Sequence, residues 1–394
     1  MIDNRHRYIL QWLLCSILIV LFSACSSSSV EEGVTHQQAK LAIYVYAPEQ
    51  AAAKKNAPPT RGDVGEVDPI NNTTNEGTID SLQIWIYESA TGNYVGYFST
   101  KDVTALNEGV GTTYQIPVSD VFASKNPKPT VNVYVMANVT SANCGVGTLD
   151  KNTTRAALLE GAKIADGYFG LEQNTRSVPT DGLPFAGMLE TQPVVGDAPT
   201  LRVGTLSEVS TVDLTRAVSK LRFVFSKTTG EPAVNIKSIK INEQMIPEVE
   251  YLFKAPTSMT YNTAAAELLP SPSHISDIAQ TADPTQFIYT NQTAQAYENL
   301  INEAANKQPN PEVTVYGPIY LRESDKQLKG TITYTIGGGT EQTANFAMQQ
   351  AGDFSRNHTW IVYAYYAGNG NLQVQSLYVK EWSTKEMNHQ VYNW

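Results

Sequence analysis

KLAIYVYAP, residues 40–48, alternates along its length. Leu41, Ile43 and Val45 project to one side of an extended chain; Ala42, Tyr44 and Tyr46 project to the other. Period-2 alternation of this kind describes a strand with one buried face. The pattern recurs at IDSLQIWIYES (79–89), ahead of a turn at Thr91-Gly92-Asn93, and at PTVNVYVMANVT (129–140). Between them and beyond, Gly, Asn and Asp punctuate the chain as turns. NTTRAALLEGAKIADG (152–167) has helical spacing and predicts a short covering helix, while GLPFAGMLE (182–190) reads as a loop.

Residues 199–227 give strand, turn, strand, and from about Val212 the chain starts a second series. AVSKLRFVFSK (217–227), AVNIKSIKINEQ (233–244), EVTVYGPIYLRES (312–324), KGTITYTIGG (329–338), HTWIVYAYYAG (358–368), NLQVQSLYVKEW (371–382) and MNHQVYNW (387–394) all read as strands. QTAQAYENLINEAANK (292–307) reads as a helix, closed by Pro309 and Pro311. Gly337–Thr340 joins strands and opens no helix, so it is a hairpin turn and not a phosphate cradle. Strands at this spacing predict two β-sandwiches in series, residues 37–210 and 211–394. A chain of 394 residues with 42% hydrophobic content is long enough to fill both cores.

A net charge of −10 with no Lys/Arg cluster argues against nucleic acid. No G-x-S-x-G, H-E-x-x-H or P-loop occurs, so the sequence offers no catalytic residue and no cofactor site. The five His and three Cys form no spaced ligand set, so it offers no metal site either.

The N-terminus has a basic flank at Arg5 and Arg7 and then a short apolar run, the layout of a secretory signal over residues 1–24. Leu21-Phe22-Ser23-Ala24-Cys25 resembles a bacterial lipobox, in which the Cys25 thiol is acylated. Several acyl chains would hold the protein on the outer membrane, with residues 25–36 as a tether. Cys15 leaves with the signal, which strands Cys144 without a disulfide partner.

Residues 49–77 turn to Ala, Lys, Pro, Asn, Thr and Gly. A stretch that long without structure is usually functional or disordered. It contains Arg61-Gly62-Asp63, a tripeptide integrins can read, and Arg61 is equally a place a protease can cut. Cutting between Arg61 and Gly62 destroys the tripeptide. The exposure expected of such a loop favours cutting.

FSRNHTWIVYAYY followed by LQVQSLYVKEWSTKEMNHQVYNW resembles the end of the Bacteroidales-type fimbrillins, the type V pilins. Arg356, Asn357 and His358 open one strand, Val379 and Trp382 close the next, and a last strand runs to Trp394. VNVYVMAN (131–138), LTRAVSKLRFVF (214–225) and IYLRES (319–324) are similar to internal pieces of that family, in the same order. The resemblance implies a mostly β fold of two tandem transthyretin-like sandwiches with few short helices. It implies a fimbrial structural subunit, stalk or tip, exported as a lipoprotein, with neighbouring subunits and an Arg-specific protease as partners and adhesion to a host or bacterial surface receptor as its purpose. It implies a cut after Arg61 that frees the strand carrying Leu41, Ile43 and Val45, the outermost strand of the leading sandwich. A neighbour's donor strand, mapped to 387–394 with Met387, Val391 and Trp394, then fills the gap. Two other readings stay open: a lipid-retained anchor of the same fold, and a surface lipoprotein that binds glycans or proteins without polymerising. In the second, Trp85 and the Tyr-rich strand 361–366 could supply stacking faces, although core packing is the simpler and preferred reading of both.

Overall fold

A computed structural model describes residues 38–47, 79–101, 103, 111–141, 144–164, 182–253, 259–269, 274–288, 311–348, 351–352 and 354–381. From Gln38 onward the chain forms one contact unit, and its apolar side chains gather in two main clusters. One is built chiefly from Ala39 to Val218, the other from Leu221 to Leu372.

The first cluster lies between two five-stranded sheets. Strands β1 (Lys40–Tyr46), β2 (Leu82–Glu88), β3 (Tyr94–Thr100), β4 (Gly111–Pro117), β5 (Val131–Ala137), β6 (Lys163–Ile164), β7 (Phe185–Gln192), β8 (Val194–Asp197), β9 (Thr200–Val203), β10 (Thr211–Asp213) and β11 (Thr215–Arg216) make up this half of the chain. β11, β7, β5, β2 and β3 form one sheet in that order. In the other, β1 pairs antiparallel with β4 along one side and parallel with β9 and β10 along the other; β8 pairs β9. β5 lies inside its sheet, and every residue of VNVYVMA is buried. Helix α1 (Asp120–Ala123) follows β4, and α2 (Arg155–Gly161) forms where the 152–167 periodicity predicts a helix. Thr154 caps α2, its Oγ1 accepting from the Ala157 N–H at 3.1 Å.

β7 occupies the stretch expected to be a loop. Pro184 and Gly187 look like breakers, but Gly187 answers a close approach: a Cβ there would come within 2.9 Å of Val212 Cγ1 in the facing sheet. The glycine lets the two sheets close on each other.

The second half contains β12 (Ser219–Thr228), β13 (Val234–Ile241), β14 (Glu250–Tyr251), β15 (Ala266–Leu269), β16 (Gln280–Thr281), β17 (Thr314–Leu321), β18 (Lys329–Ile336), β19 (Gln342–Ala347), β20 (His358–Tyr366) and β21 (Gln373–Glu381). β15-β13-β18-β19 faces a sheet in which β12 pairs antiparallel with β17 and parallel with β16 and β20. The fold is mostly β, and its sheets pack as sandwiches. Each sandwich begins with a strand set inside its sheet, antiparallel to one neighbour and parallel to another. A small third cluster, Val224, Phe287, Val313, Ile361 and Tyr363, sits under the 3₁₀ turn Pro284–Phe287. The Gly337 turn joins β18 to β19 as expected, with φ of +58° and +76° at Gly337 and Gly338.

Candidate functional site

β1 is not an outermost strand; it is hydrogen-bonded on both flanks. Its seven residues pair with β4 from Lys40 opposite Pro117 to Tyr46 opposite Gly111. On the far side Leu41 lies opposite Leu201 of β9, and Val45 opposite Val212 of β10. Backbone bonds continue beyond the strand: Lys40 N–H to Pro199 O at 2.8 Å, Val118 N–H to Ala39 O at 2.9 Å, and Leu214 N–H to Tyr46 O at 3.0 Å. Leu41, Ile43 and Val45 are each 0% exposed, and Ala39 and Ala47 continue the same inward face. At about 1.5–3 kcal/mol per fully buried aliphatic side chain, the three contribute roughly 5–9 kcal/mol. A typical domain is held by only about 5–15 kcal/mol. Because β1 is internal, removing it would open a trench with unpaired N–H and C=O groups on both walls, where an edge strand would expose only one.

A second arrangement joins the two cores. The segment around β14 reaches back to the first core: β14 pairs β6, Leu252 and Phe253 are buried in that core, and the Phe253 ring meets Tyr134 edge-on at 5.1 Å. Arg356, just before β20, holds this segment. Its Nη2 donates to Tyr251 O at 2.6 Å and to Glu250 Oε1 at 2.7 Å, and its Nη1 donates to Leu252 O at 3.0 Å. Its Nε donates to Glu323 Oε1 at 2.8 Å, and the Glu323 N–H donates to Glu250 Oε2 at 3.0 Å. Beside this cluster, fully buried Arg216 lies over the Phe185 ring at 5.2 Å and donates to Asn357 Oδ1 at 3.3 Å. Asn357 takes a left-handed φ of +58° and donates its N–H to Val218 O at 2.8 Å.

Burial pushes the Glu250 carboxyl well above the usual carboxylate range, against the pull of Arg356. Burial works the same way on Glu323, but there the Arg356 guanidinium wins and the group is held low. A raised folded value stabilises fully below the unfolded value of ~4.3 and is lost as pH rises through the folded one. A lowered value does the reverse. The pair therefore makes stability decline as pH climbs past the ordinary carboxylate range and Glu250 ionises. Glu250→Gln should flatten the fall in Tm between pH 5 and pH 8. The two proteins differ only at residue 250, so a difference in slope isolates Glu250. Equal slopes would contradict the assignment.

Cys25, Arg61, Gly62, Met387, Val391 and Trp394 lie outside the described residues, as do the 292–307 helix and Trp382. The structure places Leu41, Ile43 and Val45 together on one wall of the first core. The Arg356 cluster was not anticipated as a unit. Its parts, IYLRES and the Arg-Asn-His step, had been singled out only as separate pieces of a resemblance. The stacking faces proposed for glycans are not available. Trp85 is 0% exposed and its Nε1 donates to Asp150 O at 2.8 Å; in 361–366 only Tyr365 is not buried. Cys144 is buried, in no disulfide among the described residues, and its Sγ lies 4.0 Å from Gly161 O. Among the described residues no His/Cys/Asp/Glu group is placed to hold a metal ion, and no helix is long and apolar enough to cross a membrane.

Residues 39–216 match the family described as major fimbrial subunit protein (FimA). Over that stretch, a little under half of its length, the chain is similar to this family of fimbrial subunits. None of the curated proteins matches the chain. Among solved structures, a candidate cell adhesion protein from Parabacteroides distasonis superposes with a TM-score of 0.50 at 14% identity, over 89% of this chain and 99% of that one. The C-terminally truncated tip fimbrial protein Mfa3 of Porphyromonas gingivalis gives 0.47 at 11% identity, over 86% and 98%. A fimbrial assembly protein from P. distasonis gives 0.46 at 12%, over 86% and 96%. At such identities the first likeness speaks for the fold alone.

Proposed function

We propose that this fimbrial subunit, stalk or tip, is exported as a lipoprotein through Cys25, cut between Arg61 and Gly62, and polymerised by strand exchange. The cut frees β1, and the trench between β4 and β9/β10 receives a strand from the next subunit, donated by residues 387–394. This is β-strand addition used for assembly. The observation that supports it best is the position of β1: first in its sandwich, paired on both flanks, and carrying three wholly buried aliphatic side chains. A strand so placed is needed for folding, yet it stands at the start of the described chain, ahead of the Arg61 segment. Loss of such a strand leaves a subunit that is unstable until it is refilled.

The test is limited digestion of the full chain with an Arg-specific protease. A new N-terminus at Gly62 should appear together with oligomers, and Arg61→Ala should block both while leaving the precursor folded. A fully cut protein that stays monomeric, or filaments formed by the Arg61→Ala variant, would refute the proposal. Protein recovered from cell surfaces with an acylated Cys25 at its N-terminus would instead favour the lipid-retained anchor.

A further inference from the structure

We propose that Gly111 is a register notch for whatever strand occupies the β1 trench, and that it requires an aromatic side chain at the position Tyr44 holds. The inference rests on the strand-exchange reading and adds a recognition element on the outer face of the sheet, away from the core.

Tyr44 lies opposite Thr113 on β4, and Tyr46 lies opposite Gly111. The Tyr44 ring does not stay over its direct partner. It leans diagonally onto Gly111: a Cβ built on that glycine would come within 2.5 Å of Tyr44 Cε1 and closer still to the atoms beyond it. A side chain at 111 would displace the ring, so the bare backbone of Gly111 is the floor on which the ring lies. Diagonal cross-strand neighbours are within reach of aromatic side chains, and an aromatic laid over a sheet glycine covers backbone that would otherwise be wet.

The inward face alone specifies register only loosely for a foreign strand. A slip of two residues keeps apolar side chains pointing inward, because the side-chain period is two. The outer face distinguishes these slips. One slip brings Ala42 over Gly111 and leaves the notch bare. The opposite slip brings Tyr46 there but carries Ala47 into the place of Val45. For the chain's own strand, only the native register satisfies both faces.

The occupant to which this commits is the 387–394 segment of a second copy of this chain. Its sequence has an aromatic pair at the same spacing as Tyr44 and Tyr46, Tyr392 and Trp394. With Tyr392 over Gly111, Val391 takes the place of Ile43 and His389 that of Leu41, so the aromatic on the outer face and Val391 at the centre carry the match. Asn393 then stands where Val45 does, opposite Thr112, the polar neighbour of that position.

The test uses the full chain cut by an Arg-specific protease in the presence of excess labelled peptides spanning 40–47 or 387–394. Retention of label on the protein is measured by gel filtration. Tyr44→Phe and Tyr392→Phe peptides should bind like their parents. Tyr44→Ala, Tyr44→Leu and Tyr392→Ala peptides should lose at least about tenfold, since a Leu supplies apolar area but no flat ring. In full-chain Gly111→Ala the order should invert, with the Tyr44→Ala peptide retained better than the parent; should that variant fail to fold, the peptide series decides alone. Ala or Leu peptides binding within twofold of the parent would overturn the notch while leaving strand exchange intact. Failure of both parent peptides to bind would overturn strand exchange and the notch with it. A 40–47 parent that binds beside a 387–394 parent that does not would overturn the assignment of the occupant.

Discussion

Replacing Arg356 by Met should cost the protein about 3–5 kcal/mol of unfolding free energy, the usual penalty for removing one partner of a buried ionic cluster. Met fills the volume but donates nothing. Glu250 and Glu323 would then face each other without the Arg356 guanidinium, and the carbonyls of Tyr251 and Leu252 would lose its N–H donors. The damage should cross from one sandwich to the other. The segment Arg356 holds is the one that sends Leu252 and Phe253 into the first core. Urea unfolding gives the free-energy change, and hydrogen exchange at β5 and β6 gives its reach. Apolar replacement of Glu250 and Glu323 in the same chain should recover part of the loss, because the cluster costs desolvation as well as supplying attraction. A loss under about 1 kcal/mol for Arg356→Met would mean that the joint is held by packing alone.

This cluster could not be read from the sequence. Glu250, Glu323 and Arg356 are separated by long stretches, and each alone looks like an ordinary surface charge. What marked two of them was resemblance, not spacing. The strands were unevenly legible for a related reason. β1 and β12 alternate or run apolar because they lie inside their sheets, with β-branched and aromatic residues where packing demands them. β19, QTANFA, ends its sheet and buries only Phe346 fully, so it carries too little apolar signal to be noticed. β4, GTTYQIP, buries only Tyr114 and Ile116. β7 was masked by Gly187, whose reason lies in the facing sheet. The place of β1 between two neighbours was equally hidden: local alternation says that a strand has a buried face, but not how many strands flank it.

Ile43→Asp should unfold the first core and leave the second largely protected. Ile43 is 0% exposed in the middle of β1, opposite Tyr114. The substitution removes a buried aliphatic side chain, at about 2–5 kcal/mol by analogy with truncation to Ala. It also puts a carboxyl among apolar groups, which costs further even when the group takes a proton to stay neutral. The sum is comparable to the whole stability of a domain. Exchange protection should therefore be lost in β4, β9 and β10 and retained in β12, β13, β18 and β20. Ile43→Val, by contrast, should cost only about 0.5–1.5 kcal/mol. Persistent protection of β4 in the Asp variant would show that the trench tolerates a polar occupant, and a donor could then not be selected by its inward face. The comparison with β12 sharpens the point. β12 has the same placement, antiparallel to β17 and parallel to β20, but it runs on into β13 at one end and follows β11 at the other. No single cut could release it, whereas β1 is covalently continuous with later strands only through the segment that carries Arg61. If strand exchange operates in this subunit, the first sandwich is the one that can receive a neighbour's strand, and the second supplies the end of the chain that carries the donor.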